Sequence, residues 1–444
     1  MAHDLSKAEL RRIISDRDSI EKNDFFVLRL HLVPNGSLTL EQAAIKVLLI
    51  ISGRTMYRLP YEPAAIRAST SGHIVEIDEK ANVVEIALPA FLCESEEGLT
   101  HLMTLVTSAA EYSYCDEYWL ENIELPRPFV EKFRGPRFGV DGIRHLFRGT
   151  AAQRPLVGVI LKPRRGVALE DVLPHIMESL LGGCDFVADD LLLVDPSGPY
   201  SLRSRVPQLM RVVKQVETET KLPKAYFANV GTNCGRAAEI GKWALDAGAT
   251  GLIANAFTMG FGSFGELVDS FNGRAPIITS NMGGGILTRP RLLEVHGKPT
   301  GVSEIVVSKF SRLAGADAVH AGTSASECYG SNAWGPATRA LQFPFFDRKP
   351  CFAVAEGDLN VANLWENIKS LRRNVMLEPT SGILAAPSGP RKAAQIFRAL
   401  SEQLSDEMTE SEAQRIIMEF ANTRKDLGVK ALLDHFGFKP THHR

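Results

Sequence analysis

From residue 156 onward the chain repeats one pattern: a short, nearly all-apolar run, then polar residues, then a longer amphipathic segment. Short apolar runs predict strands buried on both faces, and the amphipathic segments predict helices. The predicted strands cover residues 157–163, 186–193, 225–230, 251–257, 276–282, 318–322, 351–356 and 375–378. Eight strand–helix units in succession predict a TIM barrel.

An open, doubly wound sheet is the alternative arrangement for alternating strands and helices. That fold usually carries a GxGxxG turn after its first strand, where a dinucleotide binds. Here the corresponding place holds Lys162, Pro163 and Arg164. The sequence therefore favours the barrel, in which the chemistry lies at the carboxyl ends of the strands.

The first part of the chain lacks this strict repeat. Its pattern predicts a strand over residues 24–33, a helix over 40–51, a hairpin over 74–86 and a second helix over 97–110. This mixed order predicts an α+β domain of the ferredoxin-like kind. The predicted organisation is a helical lead-in over 1–23, the α+β domain over 24–147, the TIM barrel over 148–404 and a helical extension over 405–444.

Composition and charge narrow the class of protein. The chain is 45% apolar and 23% charged, and its net charge of −2 comes from dispersed basic and acidic residues, which argues against a nucleic-acid partner. The six cysteines lack metal-binding spacing, and no apolar segment has the length of a signal peptide or membrane span. We therefore expect a cytoplasmic protein with reduced thiols and no membrane partner.

Lys162 stands at the exit of the first predicted barrel strand. Five apolar residues precede it, Pro163 restricts its backbone, and Arg164 and Arg165 follow. A lysine at the mouth of a barrel is suited to acid–base or electrophilic chemistry. The alternative is a structural ion pair with one of the two aspartates that end the second strand.

Two further strand ends carry groups that could bind or react. Asp189 and Asp190 end the second strand and could hold a metal, although their neighbours Ala188 and Leu191 offer no further oxygen ligand. His320 ends the sixth strand, where an imidazole could shuttle protons, bind phosphate or be held structurally by hydrogen bonds.

The eighth strand is followed by Thr380, Ser381 and Gly382, ahead of a predicted helix over 391–400. Small residues before a helix, where barrels commonly bind phosphate, favour an anion site over a plain turn. The remaining strand ends carry other polar residues, namely Asn229, Asn255, Thr279, Ser280, Asn281, Glu356, Asp358 and Glu378.

Three blocks, GVILKPRRG, GGCDFVADD and GADAVHAGT, resemble the large subunit of ribulose-bisphosphate carboxylase (Rubisco), and more closely its Rubisco-like relatives of the form IV type. The resemblance covers residues 25 to 400 and implies an α+β domain followed by a TIM barrel, in a homodimer or higher homo-oligomer. It also implies that Lys162 takes the place of the family's proton-shuttling lysine, Arg164 that of a second lysine, and His320 that of the histidine on strand six.

The sequence departs from the family where the magnesium ion would bind. The family's carbamylated lysine, aspartate and glutamate correspond to Ala188, Asp190 and Leu191, so only Asp190 could still bind Mg²⁺. The loop after His320 lacks the family's lysine, and Glu327 falls near its place. These departures imply that ribulose-bisphosphate carboxylation is lost.

The resulting hypothesis is a Rubisco-like isomerase or lyase that acts on a phosphorylated sugar or sugar acid by enolisation, isomerisation or decarboxylation. Lys162, Arg164 and Asp190 would carry the reaction. The substrate and its phosphate would be bound by Arg165, His320, Thr380, Ser381 and Gly382. Two alternatives stay open: a non-catalytic barrel that binds a phosphorylated metabolite, and a weak magnesium-dependent enolase- or carboxylase-like activity with Asp190 as metal ligand.

Overall fold

A computed structural model describes residues 13–57, 59–147, 154–288, 300–323 and 334–438. Its thirteen strands are β1 Phe25–Pro34, β2 His73–Asp78, β3 Val83–Pro89, β4 Cys115–Glu124, β5 Leu156–Ile160, β6 Phe186–Ala188, β7 Ala225–Asn229, β8 Gly251–Ala254, β9 Ile277–Thr279, β10 Thr300–Val302, β11 Ala318–His320, β12 Phe352–Ala355 and β13 Val375–Leu377. Outside the described ranges lie residues 1–12 of the predicted lead-in, Glu327 and the last six residues.

The α-helices of the described ranges are Leu40–Ile51, Ala64–Thr70, Gly98–Thr107, Arg127–Glu131, Gly139–Leu146, Leu169–Leu181, Leu202–Thr220, Cys234–Asp246, Ala256–Met259, Phe261–Ser270, Gly285–Thr288, Glu304–Leu313, Trp334–Gln342, Leu364–Leu371, Thr380–Leu384, Pro390–Gln403, Glu410–Thr423 and Val429–His435. The last two lie in the segment 405–444, for which a helical extension was predicted. None of the described helices combines the length and apolar character needed to cross a bilayer.

The first compact unit comprises Met1–Arg134, Gly260–Gly262 and Gly283–Leu313. Its sheet has the strand order β10-β4-β1-β3-β2, and β1 is antiparallel to both β3 and β4. Strands β1 to β4 and their helices follow the βαββαβ order of ferredoxin-like domains, as predicted. Thr39 begins the first helix with a capping box, in which its side chain and that of Gln42 each satisfy the other's backbone N–H.

The fifth strand of this sheet was not predicted. Strand β10 is only three residues long, and it pairs in parallel with β4 through the register Gly301↔Trp119. Three residues are too few to show an alternating pattern, so no strand is predicted here from the sequence. The pairing brings the segment that follows the fifth barrel strand into the first unit.

The second unit comprises Gly135–Met259, Ser263–Met282 and Ala314–Arg444, and it contains the barrel. Eight parallel strands close in the order β11-β12-β13-β5-β6-β7-β8-β9, which confirms the TIM barrel and excludes the open sheet. The strands are buried along their whole length, because the helices that follow them cover their outer face.

Helix Gly139–Leu146 closes the amino-terminal end of the barrel. Its Val140 and Ile143 join a buried cluster with Phe186 and Phe352, which begin their strands. Asp317, immediately before β11, accepts hydrogen bonds from the backbone N–H groups that start this helix, at 2.6 and 2.8 Å. This helix belongs to the second unit, which begins at Gly135. Polar residues lie at the opposite, carboxyl-terminal end of the barrel.

Candidate active site at the barrel mouth

The polar residues that follow the barrel strands gather at one rim of the second unit. Because the eight strands are parallel, their carboxyl ends face the same side. A cavity of about 520 Å³ lies at the ends of β5, β12 and β13. Its polar lining consists of Lys162, Glu356, Asp358, Glu378, Thr380 and Ser381. Three of these, Lys162, Thr380 and Ser381, are among the predicted site residues.

Lys162 and Asp190 form an ion pair at this rim. Strands β5 and β6 pair Ile160 with Ala188, so the residues two positions further along each strand come to lie side by side. The lysine side chain is 46% exposed and the aspartate side chain only 4%. The N–H of Leu192 donates to Asp190 Oδ1 at 2.7 Å. The ammonium can therefore reach a ligand while its counter-ion stays fixed.

Asp189, the neighbouring residue, has a different environment. Its carboxylate is completely buried and forms an ion pair of 2.7 Å with the equally buried Arg205. Tyr226 Oη and the N–H of Asn229 each donate to it at 2.9 Å. Burial and the adjacent negative charge raise the pKa of Tyr226 well above its usual value. Because both oxygens of Asp189 already have donors, this aspartate is structural and offers no free position to a metal.

His320, Glu356 and Glu378 form a second charged group, which we call the rim triad. His320 ends β11, and Glu356 and Glu378 directly follow β12 and β13. These three strands are neighbours in the barrel. His320 Nδ1 lies 3.3 Å from Glu356 Oε2. One ligand atom from each of the three side chains lies within 4.8 Å of the other two.

The rim triad is buried but poorly satisfied. His320 is 7% exposed and Glu378 3% exposed. Within the described part of the chain, no donor reaches either carboxylate oxygen of Glu378, and His320 has only the contact of its Nδ1 with Glu356. Buried polar groups normally have such partners, and those that lack them are often functional.

The charges within the rim triad explain the protonation of its members. Burial, with the nearby Glu356, raises the pKa of Glu378 to about 8, against the opposing effect of His320 and Lys162. Burial disfavours a charged imidazole, but Glu356 and Glu378 outweigh it and raise the pKa of His320. The two carboxyl groups therefore face one imidazole, and burial favours the protonated form of Glu378 near neutral pH.

Glu356 and Glu378 were not among the predicted site residues, although both were recognised as strand ends. The signal that could have selected them is the barrel topology. Strands six, seven and eight of a TIM barrel are adjacent, so polar residues at their ends must approach one another. The prediction that His320 binds phosphate stays untested, and its two acidic neighbours favour a cationic ligand instead.

Arg164 and Arg165 lie on the exposed loop after β5. Neither forms an ion pair with another residue of the described ranges. Neither lines the cavity, although the preceding Lys162 and Pro163 do. Two cations on the loop beside the cavity attract an anionic ligand to it. Their predicted roles in reaction and substrate binding stay predictions.

The segment Thr380–Gly382 begins a helix of only five residues, Thr380–Leu384. Thr380 Oγ1 accepts a hydrogen bond of 2.9 Å from the N–H of Ile160, so it links β5 to the end of β13. Gly382 is buried, and a Cβ there would lie 3.0 Å from the carbonyl oxygen of Leu359. Packing therefore explains both residues, which leaves the exposed Ser381 as the clearest candidate of the three for contact with a ligand.

The magnesium centre implied by the resemblance does not fit the residues at the end of β6. Ala188 is a buried methyl group, and Leu191 packs against the apolar core of the barrel. Asp189 is saturated by its own donors, and Asp190 already neutralises Lys162. Two of the three expected ligands are thus replaced by hydrocarbon, which offers a hard cation no lone pair.

Three kinds of comparison relate the chain to known proteins. Residues 142–431 match the family model described as ribulose bisphosphate carboxylase large chain, catalytic domain. The chain is 24% identical to a ribulose bisphosphate carboxylase of Archaeoglobus fulgidus, over 89% of this chain and 92% of that one. It is 26% identical to a ribulose bisphosphate carboxylase-like protein of Chlorobaculum thiosulfatiphilum, over 72% and 69%.

Solved structures give the same fold. The octameric Rubisco of Pyrococcus horikoshii superposes with a TM-score of 0.82 at 20% identity, covering 98% of this chain and 100% of that one. The dimeric archaeal Rubisco of Hyperthermus butylicus superposes with a TM-score of 0.81 at 21% identity, covering 97% and 100%. At these identities, the structural likeness establishes the architecture and leaves the chemistry to the residues of the site.

Proposed function

Because residues 142–431 match its catalytic domain, this chain belongs to the ribulose bisphosphate carboxylase large chain family, and we propose that it uses the family's barrel mouth for a different reaction. The proposed reaction moves a proton next to the carbonyl of a phosphorylated sugar or sugar acid, giving enolisation, isomerisation or decarboxylation. Carboxylation of ribulose bisphosphate is excluded from the proposal, since Ala188 and Leu191 replace two magnesium ligands.

The ion pair between Lys162 and Asp190 at the cavity is the observation that carries the proposal. A lysine that reaches the cavity can donate a proton to a carbonyl oxygen as negative charge develops on it. In its neutral form the same amine can accept a proton from the adjacent carbon. Asp190 holds the side chain in place for both steps, and its charge favours the ammonium form that donates the proton.

The other residues of the rim support binding of an anionic substrate. Arg164 and Arg165 provide positive charge next to the cavity, and Ser381 provides a hydroxyl group within its lining. A guanidinium binds phosphate or carboxylate through two parallel hydrogen bonds. A substrate that carries both a carbonyl and a phosphate would therefore be drawn to this side of the barrel with its reactive carbon near Lys162.

The test is proton exchange followed by NMR in deuterium oxide. A panel of sugar phosphates and phosphorylated sugar acids is incubated with the full-length protein, and loss of the proton signal next to the carbonyl is recorded. We expect exchange with at least one compound, and a loss of about 10²- to 10⁴-fold in Lys162→Met. Lys242→Met, on an exposed helix position, is the matched control. Unchanged exchange in Lys162→Met would refute the role of this lysine.

A non-catalytic barrel that binds a phosphorylated metabolite is the second candidate. The loss of the magnesium ligands favours it, because the family's usual chemistry depends on them. The same panel separates the two functions. A compound that raises the melting temperature without exchanging its proton in the wild-type protein supports a binding function, whereas exchange supports the enzyme.

We also propose that the chain forms a homodimer or a larger homo-oligomer. Support comes from the relatives of known structure, one of which is described as dimeric and another as octameric. Light scattering coupled to gel filtration tests the proposal, and a mass equal to the 48.7 kDa of one chain at micromolar concentration would contradict it.

A further inference from the structure

We propose that the rim triad, His320, Glu356 and Glu378, is a binding site for a divalent transition-metal ion such as Zn²⁺ or Mn²⁺. This site is separate from the place at the end of β6 where the family's magnesium ligands would stand. The proposal concerns binding alone, and it holds whether or not the reaction proposed above is correct.

The geometry of the three side chains suits one small cation. One ligand atom from each lies within 4.8 Å of those of the other two, and the closest pair, His320 Nδ1 and Glu356 Oε2, is 3.3 Å apart. Metal–ligand bonds to imidazole and carboxylate are about 2.0–2.2 Å, so ligand atoms around one ion are separated by up to roughly 4 Å. Small rotations of the side chains therefore bring all three onto a single ion.

The lack of hydrogen bonds is the second, independent observation. Glu378 is only 3% exposed, and both of its oxygens lack hydrogen-bond donors among the described residues. His320 Nε2 also lacks a partner there, while Nδ1 faces Glu356, itself a carboxylate of the rim triad. Leaving buried carboxylate and imidazole groups without partners is costly. A divalent cation would bind one nitrogen of His320 together with oxygens of both carboxylates, and it would balance the excess of carboxylate over positive charge.

The mixture of ligands selects the class of metal. Imidazole nitrogen together with carboxylate oxygen is typical of zinc, manganese, iron and nickel sites, whereas calcium and magnesium prefer oxygen alone. Glu356 and Glu378 also line the cavity. Three protein ligands beside an open cavity leave coordination positions free for water or a ligand oxygen, as in metal sites that bind substrates.

One other group of potential ligands occurs in the described ranges and is a weaker candidate. Cys93, Glu97 and His101 lie on the first unit, where Glu97 and His101 are both more than 40% exposed. Burial and Glu97 raise the pKa of Cys93 to about 12, so its sulfur is a poor ligand while it keeps its proton. This group serves as the control.

The experiment is a metal titration of the full-length protein after treatment with a chelator and dialysis. Calorimetry with Zn²⁺, Mn²⁺ and Mg²⁺ should show one site for Zn²⁺ or Mn²⁺ and much weaker binding of Mg²⁺. We expect Glu378→Gln and His320→Gln to weaken that binding by roughly 100-fold or more. Circular dichroism checks their folding, and the more exposed Glu356→Gln gives a second variant should either core variant unfold.

X-ray absorption of the zinc-loaded protein provides a readout independent of affinity. The proposal expects a first shell of nitrogen and oxygen with the outer-shell pattern of imidazole, and no sulfur. The double variant Glu97→Gln/His101→Gln should bind zinc as the wild type does. A sulfur ligand, loss of binding in that control variant, or binding that survives in all rim triad variants would overturn the proposal.

Discussion

The barrel buries carboxylates at two places on its rim, and their surroundings differ. Asp189 has Arg205 beside it, with Tyr226 and a backbone N–H completing its hydrogen bonds. Glu378 is just as deeply buried but has no hydrogen-bond donor among the described residues. The first arrangement is what a folded protein needs to keep a charge inside. The second is unfavourable for stability, and such sites are retained where a ligand or a reaction uses them.

Burial of a charge does not by itself identify function. Asp189 and Asp190 are adjacent in the sequence, yet only Asp190 forms its ion pair with a residue that lines the cavity. The degree to which the hydrogen bonds of a buried group are satisfied separates a structural charge from a candidate ligand site. Removing the carboxylate of Asp189 should therefore lower the free energy of unfolding, whereas removing that of Glu378 should raise it.

Asp189→Ala should have the largest effect on stability. The substitution leaves the fully buried Arg205 guanidinium without its counter-ion, and breaking a buried ion pair in this way typically costs about 3–5 kcal/mol. Chemical denaturation followed by circular dichroism measures the change in the free energy of unfolding. A loss below about 1 kcal/mol would show that the Asp189 cluster is not a stabilising element and would remove the contrast with Glu378.

Glu378→Gln should raise the free energy of unfolding of the metal-free protein, the opposite of the effect of Asp189→Ala. Because the folded-state pKa of Glu378 is raised to about 8, its favourable contribution is complete below the unfolded value of 4.5 and is lost as the pH rises through 8. Glutamine does not titrate, so the variant should be more stable than the wild type at pH 9, by about 1–3 kcal/mol, with the advantage vanishing towards pH 4.

The check is a series of urea denaturation curves between pH 4 and pH 9 in the presence of a chelator. Glu219→Gln is the matched control, because Glu219 is an exposed glutamate on helix Leu202–Thr220 and does not line the cavity. If Glu378→Gln instead lowers the stability at pH 9, then Glu378 has compensating partners in solution and the distinction between the two places fails.

The architecture and part of the rim could be predicted from the sequence. The eight apolar runs predict the barrel strands because each is short, continuous and followed by polar residues. The ion pair between Lys162 and Asp190 was one of the alternatives that the sequence offered, since their strands are neighbours, and the catalytic roles of both residues stay predictions. The partner of Asp189 could not be predicted, because Arg205 lies on a helix and its orientation depends on the packing of that helix.

The rim triad shows a different limit of sequence analysis. His320, Glu356 and Glu378 each end a predicted strand, and the strand order makes them neighbours, so their proximity was accessible in principle. Their lack of hydrogen-bond donors was not, because it depends on side-chain packing from several strands. The strand β10 was missed for a simpler reason, since three residues carry no pattern.

Tyr226→Phe should have a smaller effect than the loss of Asp189. The phenol hydroxyl donates to Asp189 at 2.9 Å, while Arg205 and the N–H of Asn229 keep their own bonds to the carboxylate. Removing one hydrogen bond to a charged group should cost about 1.5–3 kcal/mol, towards the lower end because the ion pair remains. Denaturation curves measure it, and an effect as large as that of Asp189→Ala would show that the tyrosine organises the cluster.

Arg164→Gln and Arg165→Gln should have the smallest effect on stability, within about 0.5 kcal/mol, because both side chains are exposed and unpaired with any residue of the described ranges. If their charge serves an anionic ligand, the same variants should weaken binding of any phosphorylated compound found in the exchange screen, by about tenfold each, and the loss should shrink as salt is added. Titration of that compound at low and high ionic strength measures both quantities.

Arg415→Gln, at an exposed position of helix Glu410–Thr423, controls for net charge. Equal binding in all three variants would mean that the two arginines after Lys162 are ordinary surface residues, and the rim would then recognise its ligand through Lys162, Ser381 and the rim triad alone.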